Sequence, residues 1–163
     1  MSLHPLLNEL IHHVLPVVQD FHRQGMFAPH AASIDSTGEL SGHALTTDGT
    51  NQLSVSQAIE HFESKFSLQA KSHEIQATGI FYHSPGIDAS AKIVSLPPAN
   101  TTDECRAIVA LLEHSLGDSV YLIIPYSGQL PEIEYSSGKL VEKPTRVFPH
   151  KSNSTNKPWW KLW

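Results

Sequence analysis

The sequence predicts an α+β fold in which an antiparallel sheet of about five strands packs with two main helices, in the order α-β-β-α-β-β-β-β. Two segments place apolar residues three and four positions apart, the spacing of a helix that buries one face. After residue 72 the apolar residues alternate instead, and turn residues separate the alternating segments, as in antiparallel hairpins. With 163 residues, the chain suits one domain at residues 1–150, followed by a polar linker and flexible tail at residues 151–163.

The first predicted helix lies at the amino end of the chain. Pro5 suits its first turn, where the missing N–H costs nothing, and Gly25 suits the cap at its carboxyl end. Pro16 lies inside the pattern and predicts a kink or a break there. The apolar stripe comprises Leu3, Leu6, Leu7, Leu10, Ile11, Val14, Val17, Val18 and Phe21.

A hairpin and a second helix are predicted next. Apolar segments at residues 31–34 and 40–45 flank residues 35–38, which have the composition of a turn. The helix covers residues 55–71, with Ser54 as its amino-terminal cap. Its apolar face comprises Val55, Ala58, Ile59, Phe62 and Phe66.

The rest of the domain reads as strands. The predicted strands lie at residues 73–83, 105–114, 119–126 and 132–136, and shorter candidates lie at 91–96 and 145–148. The hairpin formed by 105–114 and 119–126 is apolar on both faces, which is typical of strands inside a sheet that is covered on both sides. Three arrangements can provide the second cover: a helix on each face, a second subunit, or the carboxyl-terminal tail.

The order of elements is similar to that of profilin-like and roadblock-type α/β sandwiches, which are mostly scaffolds and partner-binding modules. Four segments resemble small bacterial proteins of uncharacterised function: residues 27–31, 35–39, 107–117 and 124–126. The resemblance spans residues 5–148 and omits the tail. It implies an α+β fold and brings no assigned activity.

Composition excludes several classes of function. The formal net charge of −5 argues against nucleic-acid binding, which requires a basic surface to neutralise phosphates. Cys105 is the only cysteine, so an intramolecular disulfide is excluded. No segment has the composition of a secretion signal, and no apolar stretch reaches the roughly 20 residues that cross a bilayer. We therefore expect a cytoplasmic protein.

The eleven histidines raise the question of a metal site. His12 and His13 are adjacent on a helix and point about 100° apart, so they cannot hold one ion together. Glu9 and His13 have i, i+4 spacing, but no third ligand accompanies them. His73 and His83 lie too far apart along one strand. We predict no metal and no other cofactor.

Candidate catalytic groups lie at the end of the first strand of the central hairpin. Glu113 and His114 are adjacent there, and a two-residue turn would place His114 opposite Tyr121. Such groups can serve acid–base catalysis; equally, they mark the point where a strand leaves the core and meets water. Arg106 shares the face of His114. Cys105 follows two acidic residues, which disfavour a thiolate, so a buried structural cysteine is the preferred interpretation.

The tail is the least ordinary segment of the chain. Its last six residues, 158–163, include three tryptophans, whose apolar area water does not favour. The tail can fold back on its own sheet, dock on a neighbouring subunit or another protein with tryptophan anchors, or lie at a membrane surface. The membrane interpretation is the weakest, because six residues bury little area and the domain is net acidic.

Together these observations favour a non-enzymatic module that binds another protein or a second copy of itself, for example as a homodimer. The candidate binding residues are Trp159, Trp160, Trp163, Tyr126 and Arg106. The alternative is a small-ligand-binding protein or an enzyme with a pocket between sheet and helix near Glu113 and His114.

Overall fold

The computed structural model of the chain describes residues 2–26, 28–44, 55–84 and 106–148. Two helices and seven strands occur within these ranges. In chain order the elements are α1 (Pro5–Arg23), β1 (His30–Asp35), β2 (Leu40–Ala44), α2 (Val55–Lys71), β3 (Ile75–Ser84), β4 (Ala107–His114), β5 (Ser119–Gln129), β6 (Glu132–Tyr135) and β7 (Lys139–Glu142).

The strands form one antiparallel sheet in the order β2-β1-β3-β4-β5-β6, and β7 pairs with the first part of β5. Residues 120–123 of β5 pair with β7, whereas residues 126–129 pair with β6, because β5 is long enough for two partners. The α+β class and the antiparallel sheet are therefore confirmed. The sheet has more strands than the sequence predicted.

The first helix covers one face of the sheet. Leu7, Leu10 and Val18 of α1 are fully or almost fully buried and belong to one apolar cluster with Ile108 and Leu112 of β4. Val120, Leu122 and Ile124 of β5 join the same cluster. The even-numbered residues of the central hairpin therefore face α1, as the alternation of a strand requires.

The second helix covers the opposite face. Ile59, Phe62 and Phe66 of α2 pack in a separate cluster with Val109 and Leu111 of β4. Each face of the central strands thus has its own helix, which is the first of the three arrangements left open by the sequence. The sheet does not need the tail as its second cover.

The ends of α1 match the sequence prediction, but its middle does not. The His4 side chain caps the first turn by accepting the Leu6 N–H (3.2 Å), and Gly25 has the positive φ of 79° that follows a helix end. The helix continues through Pro16 without a break, and Pro16 is exposed on its surface. Leu10 and Val18 pack against the sheet on either side of the proline, which holds the two halves in one helix.

The turn between β4 and β5 corrects the predicted register. Glu113 pairs with Ser119, and Leu111 with Tyr121, so His114 does not lie opposite Tyr121. The N–H of His114 instead donates to the carbonyl of Asp118 at 2.8 Å, across a three-residue loop. Gly117 has φ 111° in this loop, a conformation that glycine adopts without strain.

The last predicted strand is also wrong. Residues 145–148 are not a strand, because their backbone amides bind a buried carboxylate instead of a neighbouring strand. The final strand lies earlier, at Lys139–Glu142. The predicted strand at 91–96, the Ser54 cap, Cys105 and the tryptophan tail lie outside the described residues. Of the two described helices, neither is long and apolar enough to cross a membrane.

Candidate functional site

The two outer sides of the described sheet differ in charge. The residues of β2 include no Asp, Glu, Lys, Arg or Pro. On the far side, β6 contains Glu132 and Glu134, and β7 contains Lys139 and Glu142. Charged residues on edge strands oppose pairing with another chain. Among the described strands, β2 is therefore the edge least protected against such pairing.

The turn before β2 determines which of its backbone groups are available. The Asp35 N–H donates to the Glu39 carbonyl at 2.9 Å. Because hydrogen-bonded and non-hydrogen-bonded pairs alternate in an antiparallel ladder, Ser41 and His43 direct their N–H and C=O groups toward β1. The residues whose backbone groups point outward are Leu40, Gly42 and Ala44. An added strand can bond these groups without disturbing the ladder inside the chain.

His43 fixes β2 to the second helix. Its Nε2 lies 2.9 Å from Ser33 Oγ, and its Nδ1 lies 3.1 Å from Lys65 Nζ. Since the ammonium of Lys65 can only donate, Nδ1 is the acceptor and Nε2–H donates to the serine. Burial lowers the pKa of His43, and the positive charge of Lys65 lowers it further. The arrangement places a lysine ammonium beside the carboxyl end of β2.

Glu113, a predicted catalytic candidate, is a buried structural anchor. Its Oε1 accepts from the Lys143 ammonium at 2.5 Å and from the Arg146 amide at 2.7 Å. Its Oε2 accepts from the amides of Val147 and Phe148 at 2.9 and 3.3 Å. The side chains of Glu113 and Lys143 are both 3% exposed. The carboxylate thus fixes the segment after β7 to the sheet, and the four described donors that it accepts from all belong to the chain itself.

The other two catalytic candidates do not converge with Glu113. His114 points to the opposite face, where its ring stacks on His4 at a centroid distance of 3.6 Å. Its Nδ1 accepts the Leu116 N–H at 3.0 Å. Burial, followed by the charge of His4, lowers the pKa of His114. Tyr121 is half-buried on the α2 face. The structure therefore does not bring these three side chains into one acid–base site.

A pocket of about 330 Å³ lies beside this end of the sheet. It is lined in part by Asp118, Glu142, Lys143 and Thr145. The Lys143 ammonium donates to Glu113, to Ser119 Oγ and to the Pro144 carbonyl, so its three protons are already engaged. The charged groups that the pocket offers a ligand are therefore the carboxylates of Asp118 and Glu142, and not the buried ammonium of Lys143.

Tyr126 and Arg106, the predicted binding residues inside the domain, do lie together, at the opposite end of β4 from Glu113. The guanidinium carbon of Arg106 lies 5.3 Å from the centroid of the Tyr126 ring. Arg106 Nη2 donates to the Gly128 carbonyl at 2.8 Å, and the Tyr126 N–H donates to the Arg106 carbonyl at 3.0 Å. Two hydrogen bonds, one from its guanidinium group and one to its backbone carbonyl, thus hold Arg106 against the ring.

Three side chains that the sequence analysis did not select join this pair. The ring of His22 lies 4.4 Å from that of Tyr126 and 4.4 Å from that of His83. The Tyr135 hydroxyl lies 3.2 Å from the Gln19 carbonyl, to which it donates, and 2.9 Å from His22 Nδ1, which donates to it. We call the set His22, His83, Arg106, Tyr126 and Tyr135 the histidine–tyrosine cluster.

The cluster lies between α1 and the sheet and holds its histidines in the neutral form. Burial lowers the pKa of His22 to about 4, and the charges of Arg106 and Arg23 lower it as well. Burial, followed by the charges of His22 and His30, lowers the pKa of His83 to about 3. Burial raises the pKa of Tyr126. At neutral pH the positive charge of the cluster therefore belongs to arginine.

The burial of two members of this cluster could have been predicted from the sequence. His22 lies four residues after Val18, so it continues the buried stripe of α1. His83 lies two residues after Phe81, on the same face of β3. Nothing in the sequence shows that these two positions meet, because the packing of α1 on β3 decides it. Among the described residues, no group of three or more His, Cys, Asp or Glu side chains is arranged to hold a metal ion.

Comparison with protein-family models, with curated proteins and with solved structures finds no match to this chain. The resemblance to small bacterial proteins therefore stays a prediction.

Proposed function

We propose that this chain is a protein-binding module that associates with a second copy of itself through antiparallel pairing of the two β2 strands. The observation that supports the proposal is the contrast between the uncharged β2 edge and the charged strands β6 and β7 on the far side of the sheet. Strand addition at such an edge is a common mode of protein recognition.

A two-fold axis at Gly42 makes the pairing self-complementary. Gly42 then pairs with Gly42 of the second copy, and Leu40 pairs with Ala44 of the second copy. All three outward-facing residues become members of hydrogen-bonded pairs, so every outward N–H and C=O finds a partner. Among the described residues, no atom lies within 4 Å of the position that a Gly42 Cβ would take above the sheet, so a small side chain fits at the two-fold axis.

Charge also favours a second copy as the occupant. By strand alternation Glu39 shares the face of Ser41 and His43, which is the α2 face. In the two-fold register Ser41 lies opposite His43 of the second copy, and Glu39 is the diagonal neighbour of that His43 on the same face. The Nδ1 of His43 is bonded to Lys65. The carboxylate and the ammonium therefore meet across the interface, once at each end of the paired strands.

The association is expected to be weak and dependent on concentration. A strand of five residues in each copy forms an interface near the low end of the range for specific complexes, so we expect a Kd roughly in the micromolar range. Sedimentation velocity across a concentration series should show a species of twice the 18.0 kDa chain mass that grows with concentration.

Gly42→Pro tests the pairing with little expected effect on the ladder within the chain. Proline removes the outward N–H of residue 42, which has no partner in β1, and edge strands accept proline at such positions. Gly42→Ala is the matched control, because it keeps the N–H and places its Cβ in open space. We expect Gly42→Pro to abolish the dimer and Gly42→Ala to retain it. A dimer that survives Gly42→Pro, in a variant with an unchanged circular dichroism spectrum, contradicts the proposal.

The predicted tail anchors Trp159, Trp160 and Trp163 are a second candidate for association. Deleting residues 159–163 separates the two ideas in the same sedimentation experiment. If the β2 edge is sufficient, the truncated chain keeps the dimer and stays sensitive to Gly42→Pro. Loss of the dimer on truncation would assign the association to the tail instead.

A further inference from the structure

Lys65 differs from the other described lysines in having both solvent access and a contact to a base. The residue is exposed on α2, and its Nζ lies 3.1 Å from His43 Nδ1. Lys71 and Lys139 are also exposed, but no described residue accepts a hydrogen bond from either ammonium. The Lys143 ammonium is buried in its ion pair. Lys65 is therefore the described lysine at which an imidazole can assist chemistry at the amine.

The ring of His43 is held with its unprotonated nitrogen toward Lys65. The Oγ of Ser33, a residue only 4% exposed, accepts from Nε2–H at 2.9 Å. The ring of Phe66 packs against the imidazole at a centroid distance of 5.2 Å. Glu39 shares this face of β2 four residues earlier, and Lys65 is the described charged group in contact with the ring. Burial, followed by the charge of Lys65, lowers the pKa of His43, so Nδ1 carries no proton at neutral pH.

We propose that Lys65 is a site of covalent acylation by small acyl thioesters, with His43 as the general base. A lysine attacks as its neutral amine, which forms when the ammonium loses a proton to water. When this amine donates one N–H to His43 Nδ1, its lone pair points away from the imidazole, so a thioester can approach it from the exposed side. The contact thus orients the nucleophile before the acyl donor arrives.

The thioester is the only co-reactant that the step requires. The Nζ lone pair forms a bond to the thioester carbonyl carbon, and the C–S bond breaks as the thiolate leaves. The proton that Nζ loses passes to His43 Nδ1 along the existing hydrogen bond, and the imidazolium then returns it to the thiolate. The products are an amide at Lys65 and a free thiol. A positioned base contributes typically ~10²–10⁴-fold in enzymes, and because the Lys65 side chain is exposed we expect about tenfold here.

The test uses the full chain and S-acetyl-N-acetylcysteamine, a small acetyl thioester, at neutral pH. Peptide mass spectrometry gives the initial rates of acetylation at Lys65 and at Lys71 in the same sample. Lys71 is the internal control, because it is exposed on the same helix and has no described acceptor. We expect Lys65 to react about tenfold faster than Lys71. Equal rates at the two lysines overturn the proposal.

Two variants separate the base from its surroundings. His43→Gln keeps a polar side chain that cannot take up a proton, and it should reduce the Lys65 rate to that of Lys71. His61→Gln, at an exposed histidine one turn before Lys65, is the matched control and should leave the Lys65 rate unchanged. If His43→Gln keeps the fast rate and an unchanged circular dichroism spectrum, His43 is not the base and the proposal fails.

The pH profile distinguishes a base from a merely structural contact. The ratio of the Lys65 rate to the Lys71 rate should be constant above the ordinary histidine pKa of 6.5. It should fall as the pH drops through the lower pKa of His43, because a protonated imidazole cannot accept the proton from Nζ. In His43→Gln the ratio should not depend on pH. A parent chain whose ratio is also independent of pH would contradict the role of His43.

Discussion

Replacing His22 or His83 with glutamine should flatten the pH dependence of the free energy of unfolding. Both histidines are 1% exposed, and both have a pKa below the ordinary value of 6.5 in the folded chain, about 4 for His22 and about 3 for His83. The unfolded chain binds protons at these groups near pH 6.5, whereas the folded chain does not. Their contribution to stability is therefore complete above pH 6.5 and is lost as the pH falls toward 4 and 3.

The size of the effect follows from the number of protons. At pH 5.5 the unfolded state carries nearly one extra proton on each of the two histidines. The free energy of unfolding should therefore fall by about 2 kcal/mol per pH unit through these two groups, and by about 4 kcal/mol between pH 7.5 and pH 5. Each single variant, His22→Gln or His83→Gln, should remove about half of that slope.

Urea unfolding at several pH values between 7.5 and 5 provides the assay. The slope is the informative quantity, because it does not depend on how much stability the substitution itself costs at neutral pH. His13→Gln, at an exposed position of α1, controls for the loss of a histidine in general. If His22→Gln and His83→Gln both keep the slope of the parent chain, the two rings are not held neutral by burial, and the account of the histidine–tyrosine cluster fails.

Two further predictions concern the elements that the sequence misplaced. Glu113→Gln leaves the Lys143 ammonium buried without its carboxylate and should destabilise the chain by about 3–5 kcal/mol in urea unfolding. The double variant with Lys143→Met should recover part of this loss, because it removes the unpaired charge. If the losses of the two single variants simply add in the double variant, the two side chains do not form a direct ion pair. Gly117→Ala should cost about 1–2 kcal/mol through the positive φ of the β4–β5 turn alone, since no atom of the described residues lies within 4 Å of the new Cβ. Gly42→Ala, also in open space but without a positive φ, is its control, and equal effects of the two would refute the turn geometry.

The helices were predictable because their signals are local. The α2 face formed by Ile59, Phe62 and Phe66 follows directly from the 3.6-residue period, and the structure buries all three residues. The two-sided apolar pattern of β4 likewise indicated a central strand. Such patterns determine which face is buried but not which helix covers it, so the placement of α1 and α2 on opposite faces required the structure.

The buried polar side chains could not be predicted, because the contacts that bury them join residues that are distant in the sequence. Glu113 and Lys143 are charged and lie 30 positions apart, so composition favours solvent exposure for both, and only their mutual contact explains their burial. His22 and His83 meet through helix-on-sheet packing, which no local pattern reports. Tyr126 and Arg106 were selected as binding residues from the sequence, and their neighbours in the histidine–tyrosine cluster became apparent only in the fold.

The most direct test of self-association through β2 is a charge-exchange experiment with Glu39→Lys and Lys65→Glu. In the proposed register each single variant brings like charges together in its own dimer. A mixture of the two variants instead restores an opposite-charge pair at both ends of the interface. Sedimentation velocity should therefore show each variant alone as mostly monomer and the equimolar mixture as dimer. Equal association of the separate variants and the mixture would contradict the β2 interface.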